Sequence, residues 1–197
     1  MHYREVKFGM LIFYTATDGL DAGRARCRGR VPTGESALAY SLLLYALEQR
    51  HGVRELPELG VTPGGKPYFP SRPDWHFSLS HTRGLVLAAV SDRPVGADAQ
   101  VKDGRAERLT GKLMSPGERA EFDFYELWCL RESVYKLRGC GDLRTMRFSR
   151  RGGAVLAPEP GIYCRSWSLP GHALAAADFD GLLPEAPVEV PPDKICT

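Results

Sequence analysis

Two apolar stretches separated by only four residues constrain the fold of this chain more than any other feature. Residues 85 to 90 are all aliphatic, and residues 95 to 101 follow them after the turn-forming sequence Ser-Asp-Arg-Pro. A connection this short joins antiparallel strands, because parallel strands need a long crossover. The sequence therefore predicts a β-hairpin that presents Asp98 near the edge of a sheet.

The second stretch alternates in polarity with the period of a strand. Asp98 and Gln100 lie on one face of it. The opposite face is small or apolar and consists of Val95, Ala97, Ala99 and Val101. Because side chains alternate across a strand, this pattern places a carboxylate on a defined face of the sheet.

A second carboxylate lies in a segment with helical spacing. Residues 128 to 136 read Trp-Cys-Leu-Arg-Glu-Ser-Val-Tyr-Lys, so that a helix places Trp128, Glu132 and Lys136 on one face. Taken alone, Glu132 and Lys136 are typical of a surface ion pair. With Asp98, they form a set in which a strand carboxylate meets a helix carboxylate beside a lysine. Two hard oxygen ligands of this kind suit Mg²⁺ bound partly through substrate phosphates.

The remaining patterns predict an α+β protein. Residues 34 to 50 have helical periodicity, with Thr33 as a candidate N-cap and Gly52 beyond the end. Residues 162 to 167 and 172 to 177 predict a second hairpin. This layout indicates two halves that meet near residue 95 with a ligand between them. The proline-rich tail is expected to be either an extended covering segment or a loose end.

Composition excludes several classes of protein. A net charge of +2 is too small to indicate nucleic-acid binding, and basic residues are not interleaved with aromatic ones. The five cysteines are an odd number without a CxxC pair, so reduced thiols in the cytoplasm fit best. The apolar run at residues 8 to 14 is too short to span a bilayer and predicts a first strand. We therefore expect no membrane partner.

Four short motifs occur in a distinctive order. They are Gly65-Lys66-Pro67, Phe77-Ser78-Leu79-Ser80-His81, Val95-Gly96-Ala97-Asp98 and the segment 128 to 136. In this order and spacing, from about residue 64 to 141, the chain resembles the 4′-phosphopantetheinyl transferases of the surfactin-synthetase-activating type. The resemblance implies two similar α+β halves related by a pseudo-twofold axis. These would be residues 1–94, on the nucleotide side, and 95–197, with the metal and the catalytic helix, in one compact unit.

The resemblance also implies an activity, that of a holo-[acyl-carrier-protein] synthase type transferase. Such an enzyme moves the 4′-phosphopantetheine arm of coenzyme A onto a serine of an acyl, peptidyl or aryl carrier protein and releases 3′,5′-ADP. These carriers are small, acidic helical bundles, so a basic docking surface is expected. Candidate contributors are Arg144, Arg147, Arg150 and Arg151. A monomer is expected, because one chain contains both halves.

The family motifs assign roles to individual residues. Asp98 and Glu132 would bind Mg²⁺ on the pyrophosphate, with Gln100 as a further, neutral ligand. Glu132 would also accept the serine proton, either directly or through a metal-bound water. Lys136 would neutralise the pyrophosphate or donate a proton to the leaving group.

Four further residues would contact coenzyme A. Ser80 and His81 stand where the family contacts the phosphates, which makes His81 a third candidate catalytic residue beside Glu132 and Lys136. Lys66 and Pro67 stand where the family contacts the nucleotide. Outside this set of motifs, a histidine such as His81 would be interpreted as a surface or structural residue.

The sequence departs from the family pattern at three main points, besides a minor one at Ala97, which replaces a larger apolar residue. Gln100 replaces a second acid on the strand, which weakens the metal site without excluding it. Arg131 replaces the usual lysine before the glutamate. The family's arginine at the start of the first long helix, which holds the 3′-phosphate of coenzyme A, is missing here. The nearest possible substitutes are arginines at every second position of the preceding segment, namely Arg24, Arg26, Arg28 and Arg30. This segment is expected to be either extended, with the arginines on one face, or a solvated basic loop.

Two other functional classes remain open at this point. One is a non-catalytic member of the same fold that binds coenzyme A or a carrier protein, which the departure at Gln100 makes conceivable. The other is an interaction module in which the motifs are accidental. Binding of coenzyme A, with and without Mg²⁺, distinguishes the second class from the others.

Overall fold

The chain folds into two main β-sheets, each covered by one long helix, in a computed structural model that describes residues 9–27, 31, 34–104 and 107–196. The elements are β1 Leu11–Ala16, α1 Glu35–His51, β2 Gly60–Val61, β3 Pro67–Tyr68, β4 His76–Thr82, β5 Leu85–Ser91, β6 Val95–Val101, α2 Glu107–Leu113, α3 Pro116–Glu121, α4 Phe124–Arg138, β7 Ser149–Arg151, β8 Ala154–Leu156, β9 Tyr163–Leu169, β10 His172–Asp178 and β11 Val188–Glu189. The predicted α+β class is confirmed.

The first sheet has the strand order β11-β1-β5-β4, and α1 packs against it. Every residue of β5 is buried, which explains the aliphatic run from residue 85 to 90. Helix α1 confirms the helix predicted for residues 34 to 50, within one residue at each end. It terminates at Gly52 in the left-handed conformation, with φ of 70°, and its N-cap is Gly34. The candidate N-cap Thr33 lies outside the described residues.

The second sheet has the order β6-β10-β9-β8-β7, and α4 packs on β6, β10 and β9. The predicted second hairpin is confirmed, because β9 and β10 pair antiparallel around the two-residue turn at Pro170 and Gly171. Apolar side chains between the two sheets form a shared core that includes Ile12, Leu87 and Leu174.

The hairpin predicted from residues 85 to 101 is wrong, although both strands exist. β5 belongs to the first sheet, whereas β6 is the edge strand of the second and pairs with β10. On its other side, backbone N–H groups of β6 donate to hydroxyls on β4. The bonds run from Ala97, Ala99 and Val101 to Ser78, Ser80 and Thr82, at 2.9, 3.2 and 3.1 Å. Because these hydroxyls stand two residues apart, they match the period of the strand that they hold.

The C-terminal tail covers the first half of the molecule. β11 pairs in parallel with β1, aligning Val188 with Phe13. Beyond it, Val190 and Ile195 are buried in the core beneath α1, and the Thr15 hydroxyl donates to the Val190 carbonyl over 2.9 Å. The prediction that the tail is a covering segment is therefore confirmed, and the alternative of a loose end is wrong. The residues from 188 to 196 pack with the half that begins the chain.

The basic segment after β1 is not extended throughout. Arg24 ends a short 3₁₀ turn that begins at Ala22. Arg26 forms an ion pair with Glu48 over 3.4 Å and also donates to the carbonyl of Lys194. Arg28 and Arg30 lie outside the described residues. The expected row of arginines on one extended face is therefore wrong at Arg24.

Within the described part of the chain, none of the helices combines the length and the apolar composition needed to cross a bilayer.

The buried tail gives a prediction about stability. Ile195→Ala should lower the free energy of unfolding by about 2–5 kcal/mol, because it leaves a cavity in the core beneath α1. Val188→Ala, at an exposed position of the same tail, should change it by less than about 0.5 kcal/mol. Urea unfolding of both variants measures the difference. Equal effects would show that the tail does not pack as described.

Candidate functional site

Helix α4 supplies two of the candidate site residues. The Asp123 side chain caps its first turn by accepting from the Glu126 N–H over 2.9 Å, and Gly139 ends it in the left-handed conformation. Glu132 and Lys136 are half-buried on the same face of the helix. The predicted helical spacing is therefore confirmed.

Asp98 on β6 lies at the centre of the site. It is only 3% exposed. Its Oδ1 accepts from the Lys136 ammonium and from the Ser80 hydroxyl, each over 2.7 Å. Its Oδ2 accepts from the Gln100 amide over 3.0 Å. The strand carboxylate and the helix lysine thus meet, and the predicted common face of Asp98 and Gln100 is confirmed.

A glycine allows this close approach of β6 to α4. A Cβ atom placed on Gly96 would lie 1.8 Å from the carbonyl oxygen of Ser133 and 2.6 Å from the backbone nitrogen of Leu137. Only a residue without a side chain fits there. The contact of Asp98 with Lys136 therefore depends on a glycine two residues before Asp98.

Lys136 also connects α4 to the first sheet. Besides the Asp98 carboxylate, its ammonium donates to the carbonyls of Leu79 on β4 and Ala97 on β6, both over 3.2 Å. The charge of Lys136 is therefore surrounded by oxygen atoms from both sheets. A ligand phosphate that contacts this ammonium would lie at the junction of the two halves.

Glu132 carries negative charge that is only partly compensated. Burial raises the pKa of its carboxyl, the nearby Asp98 carboxylate raises it further, and Lys136 opposes the shift. Across residues 9–27, 31, 34–104 and 107–196, no donor hydrogen-bonds to the Glu132 carboxylate. A cation near Glu132 and Asp98 would offset both the burial of the Glu132 charge and its repulsion by Asp98.

This donor set fits a divalent cation that is also held by a substrate. No cluster of three or more His, Cys, Asp or Glu side chains with metal-binding geometry occurs in the described ranges. Asp98 and Glu132 nevertheless meet the need of Mg²⁺ for one or two protein carboxylates when phosphates and water complete the shell. The Gln100 amide group is engaged with Asp98 by its nitrogen, so the neutral oxygen remains for a ligand.

Ser80 and His81 occupy different environments. The Ser80 hydroxyl donates to Asp98 and accepts from the Ala99 N–H, so it orients the carboxylate. His81 is largely exposed and lies beside the start of α1. Its Nε2 is 3.3 Å from the Ser36 hydroxyl, and its Nδ1 is 3.5 Å from a Glu35 carboxylate oxygen.

Lys66 and Pro67 line a cavity of about 260 Å³ at the boundary of the two halves. Its other walls come from the loop between β2 and β3, from β4, from α4 and from the residue after α4, namely Gly64, Gly65, Phe77, Ser78, Leu79, Tyr135, Lys136 and Gly139. The Lys66 ammonium donates to the carbonyls of Val95 and Lys136 over 2.8 and 2.7 Å. Burial and the charge of Lys136 lower its pKa to about 8.

Sequence reasoning missed the structural role of Arg131. This side chain is 1% exposed, donates to the Leu113 carbonyl over 2.7 Å and pairs with the buried Glu118 over 3.0 Å. It joins α4 to the two short helices before it. Because Glu118 also closes a capping box with Ser115, the signal in the sequence was the Ser-Pro-Gly-Glu start of α3. Its partner could not be read from the sequence.

Comparisons with known proteins identify relatives of this chain. No protein-family model matches it. It is 36% identical to the 4′-phosphopantetheinyl transferase psf-1 of Bacillus pumilus over 68% of this chain and 65% of that protein. It is 30% identical to the 4′-phosphopantetheinyl transferase Sfp of Bacillus subtilis, over 39% of each chain. It is 35% identical to the 4′-phosphopantetheinyl transferase AcpT of Escherichia coli, over 45% of this chain and 52% of that protein.

The matches do not extend over the full length of these proteins. The chain spans between 39% and 65% of the length of the curated relatives that it matches. The resemblance predicted from the four motifs is confirmed by these relatives, which include proteins of the Sfp type.

The lowered pKa of Lys66 gives a prediction about pH. Its ordinary value is 10.5, so between pH 8 and 10.5 the unfolded chain binds more protons than the folded one. The free energy of unfolding of the wild type should therefore rise relative to that of Lys66→Met across this range, and the difference should be constant below it. Urea unfolding at several pH values measures it. Parallel curves would contradict the burial of the ammonium.

Proposed function

The chain is a relative of the 4′-phosphopantetheinyl transferases, and from this we propose that it transfers the 4′-phosphopantetheine arm of coenzyme A to a serine of a carrier protein, with release of 3′,5′-ADP. The observation that carries the proposal is the convergence of Asp98, Glu132 and Lys136 from two separate elements. The barrier of this phosphoryl transfer comes from charge on the pyrophosphate and from a weakly nucleophilic hydroxyl. The three residues supply ligands for a cation and a lysine to neutralise the pyrophosphate, and a carboxylate to activate the hydroxyl.

Asp98 and Glu132 would hold Mg²⁺, with the Gln100 amide oxygen as a weaker ligand. When bound, the metal neutralises charge on the pyrophosphate. The Ser80 hydroxyl and the Gln100 amide donate to the Asp98 carboxylate and fix its orientation. Because these two donors hold the carboxylate in addition to Lys136, it needs little reorganisation when the substrate arrives.

Glu132 is the proposed base. Its raised pKa makes it a better proton acceptor than an ordinary surface carboxylate, and no hydrogen bond from a described residue occupies it. It would take the proton of the carrier serine as the hydroxyl attacks phosphorus. Lys136 would leave Asp98 for the substrate phosphate and neutralise the departing 3′,5′-ADP, or donate a proton to it.

The cavity bounded by Lys66 and Pro67 is the proposed site of the nucleotide. It opens beside Lys136, so a nucleotide in it would place its pyrophosphate near the carboxylates. His81, exposed next to Ser36, is the proposed contact for a phosphate of coenzyme A. The contacts of Ser80 support an indirect role for that residue, through Asp98.

The proposed partner is an acyl, peptidyl or aryl carrier protein. Arg151 is exposed after α4 and is available to an acidic surface, whereas the exposed Arg144 is paired with Asp142 over 2.9 Å. Arg150 is held by ion pairing with Glu126, so it is a weaker candidate. Arg147 donates to the backbone of its own loop.

The division into residues 1–94 and 95–197 is proposed to reflect a pseudo-twofold relation, apart from the tail from 188 to 196, which packs with the first half. Each part has one long helix packed on an antiparallel hairpin, α1 on β4 and β5, and α4 on β9 and β10. The passage from β5 to β6 marks the boundary. A cytoplasmic monomer that contains both halves is proposed, with the thiols of Cys129, Cys140, Cys164 and Cys196 free.

Incubation with coenzyme A, Mg²⁺ and a panel of apo carrier proteins tests the function. Mass spectrometry of the carriers should show the addition of one phosphopantetheine group. Calorimetry with coenzyme A separates the alternatives. Binding without transfer would favour a non-catalytic member of the fold, whereas the absence of both would refute the proposal.

Removing the charge of Glu132 should affect the chemical step. Glu132→Gln keeps the size of the side chain but loses the base and a charged metal ligand, so the transfer rate should fall roughly 10²- to 10⁴-fold. The control is Glu159→Gln, a surface residue that pairs with Arg138. Carrier mass spectrometry over time measures both. A wild-type rate for Glu132→Gln would remove this residue from the mechanism.

Adding a charge at position 100 should strengthen metal binding. Gln100→Glu places a carboxylate beside Asp98 on the same strand face and removes the amide that donates to it. The Mg²⁺ concentration for half-maximal transfer should therefore fall below that of the wild type. A titration at saturating coenzyme A measures it. An unchanged or higher requirement would show that residue 100 does not face the metal.

A further inference from the structure

The Lys66 side chain bridges three parts of the molecule. It extends from the loop between β2 and β3, and its ammonium donates to the carbonyl of Val95, the first residue of β6, over 2.8 Å. The same ammonium donates over 2.7 Å to the carbonyl of Lys136 in the last turn of α4. One nitrogen atom thus connects a hairpin of the first half with a strand and a helix of the second.

The contact with α4 satisfies a specific need of the helix. The last four carbonyls of a helix have no partner within it, and their combined dipole favours a cation. Lys136 is one of these residues, because α4 ends at Arg138. The Tyr135 carbonyl accepts from the Gly139 N–H, and the Lys136 carbonyl accepts from Lys66.

Stability alone is a poor reason for this arrangement. An ammonium loses much of its hydration in such a position, and a second ammonium, that of Lys136, lies close to it. Replacing a buried charge by an apolar side chain is often neutral or stabilising. A charge retained here is better explained by what it holds in place.

Lys66 holds the backbone of the residue whose side chain reaches the site. The Lys136 carbonyl is bound by Lys66, while the Lys136 ammonium is bound by Asp98. Helix α4 lies against β6 here, because a Cβ at Gly96 would overlap the Ser133 carbonyl. A shift of the last turn of α4 would therefore move the Lys136 ammonium relative to Asp98.

We propose that the side chain of Lys66 is a positioning residue for Lys136, and that it contributes to transfer through this helix turn instead of by contact with the nucleotide. The inference rests on the proposed function for its kinetic consequences, but its structural part is independent of it. Lys66 then contacts coenzyme A only by its backbone, in the wall of the cavity.

A double-mutant cycle with Lys66→Met and Lys136→Met tests the proposal. Lys66→Met should lower kcat by roughly 10²-fold, since a small displacement of a catalytic group has an effect of this size. The Kd of 3′,5′-ADP, measured by calorimetry, should stay within about twofold of the wild type. The double variant should be no slower than Lys136→Met, because Lys66 acts through that residue.

Two further variants complete the design. Lys66→Arg can still donate to both carbonyls and should recover most of the lost kcat. Lys102→Met is the matched control, since it removes a lysine that pairs with Asp123 and Ser168, and it should keep the wild-type kcat. If Lys66→Met does not fold, Lys66→Arg carries the comparison, and a weakened Kd for 3′,5′-ADP in that variant overturns the proposal.

The opposite pattern in the cycle also overturns it. A nucleotide contact would raise the Kd of 3′,5′-ADP at least about tenfold in Lys66→Met, with an unchanged kcat, and its effect would multiply with that of Lys136→Met. Backbone hydrogen exchange over residues 134 to 139 provides a readout without substrate, and it should be faster in Lys66→Met. If the wild type transfers nothing, the proposed function fails, and unchanged exchange would independently overturn the positioning role.

Discussion

Three hydroxyls on β4 hold one edge of β6, and the arrangement of the site depends on them. Ser78, Ser80 and Thr82 accept the N–H groups that a neighbouring strand would otherwise bind. A buried N–H without a partner costs about 1–3 kcal/mol, so the edge strand β6 could not pack against the first sheet without such acceptors. Side chains therefore join two sheets that share no backbone ladder at this seam.

This seam determines the chemistry of Asp98. Because the Ser80 hydroxyl accepts from the β6 backbone, its proton is directed at the Asp98 carboxylate, and one residue serves both the fold and the site. Lys136 reaches the same carboxylate from α4, which Gly96 allows to approach. Lys66 and Lys136 donate to backbone carbonyls of the elements around them. The polar groups at the junction of the halves thus orient one another.

Much of the fold and part of the site could be predicted from the sequence. The two long helices, the strands β1, β5, β6, β9 and β10, and the shared face of Asp98 and Gln100 follow from hydrophobic periodicity, which is a local property. The pairing of β6 did not follow. A short connection favours a hairpin, but a strand can leave its neighbour when another partner, here β10, satisfies its backbone and side chains of β4 satisfy the rest.

The sequence by itself determined the types of element and the chemical groups available, including two carboxylates and two lysines in a recognisable order of motifs. Only the tertiary structure decided which groups meet. The Ser80 hydroxyl binds Asp98, and the Lys66 ammonium binds the end of α4, because buried donors must pair with whichever acceptors the packed strands and helix ends leave unsatisfied. Those acceptors come from residues far apart in the chain, so their positions are set by packing and are absent from any local pattern.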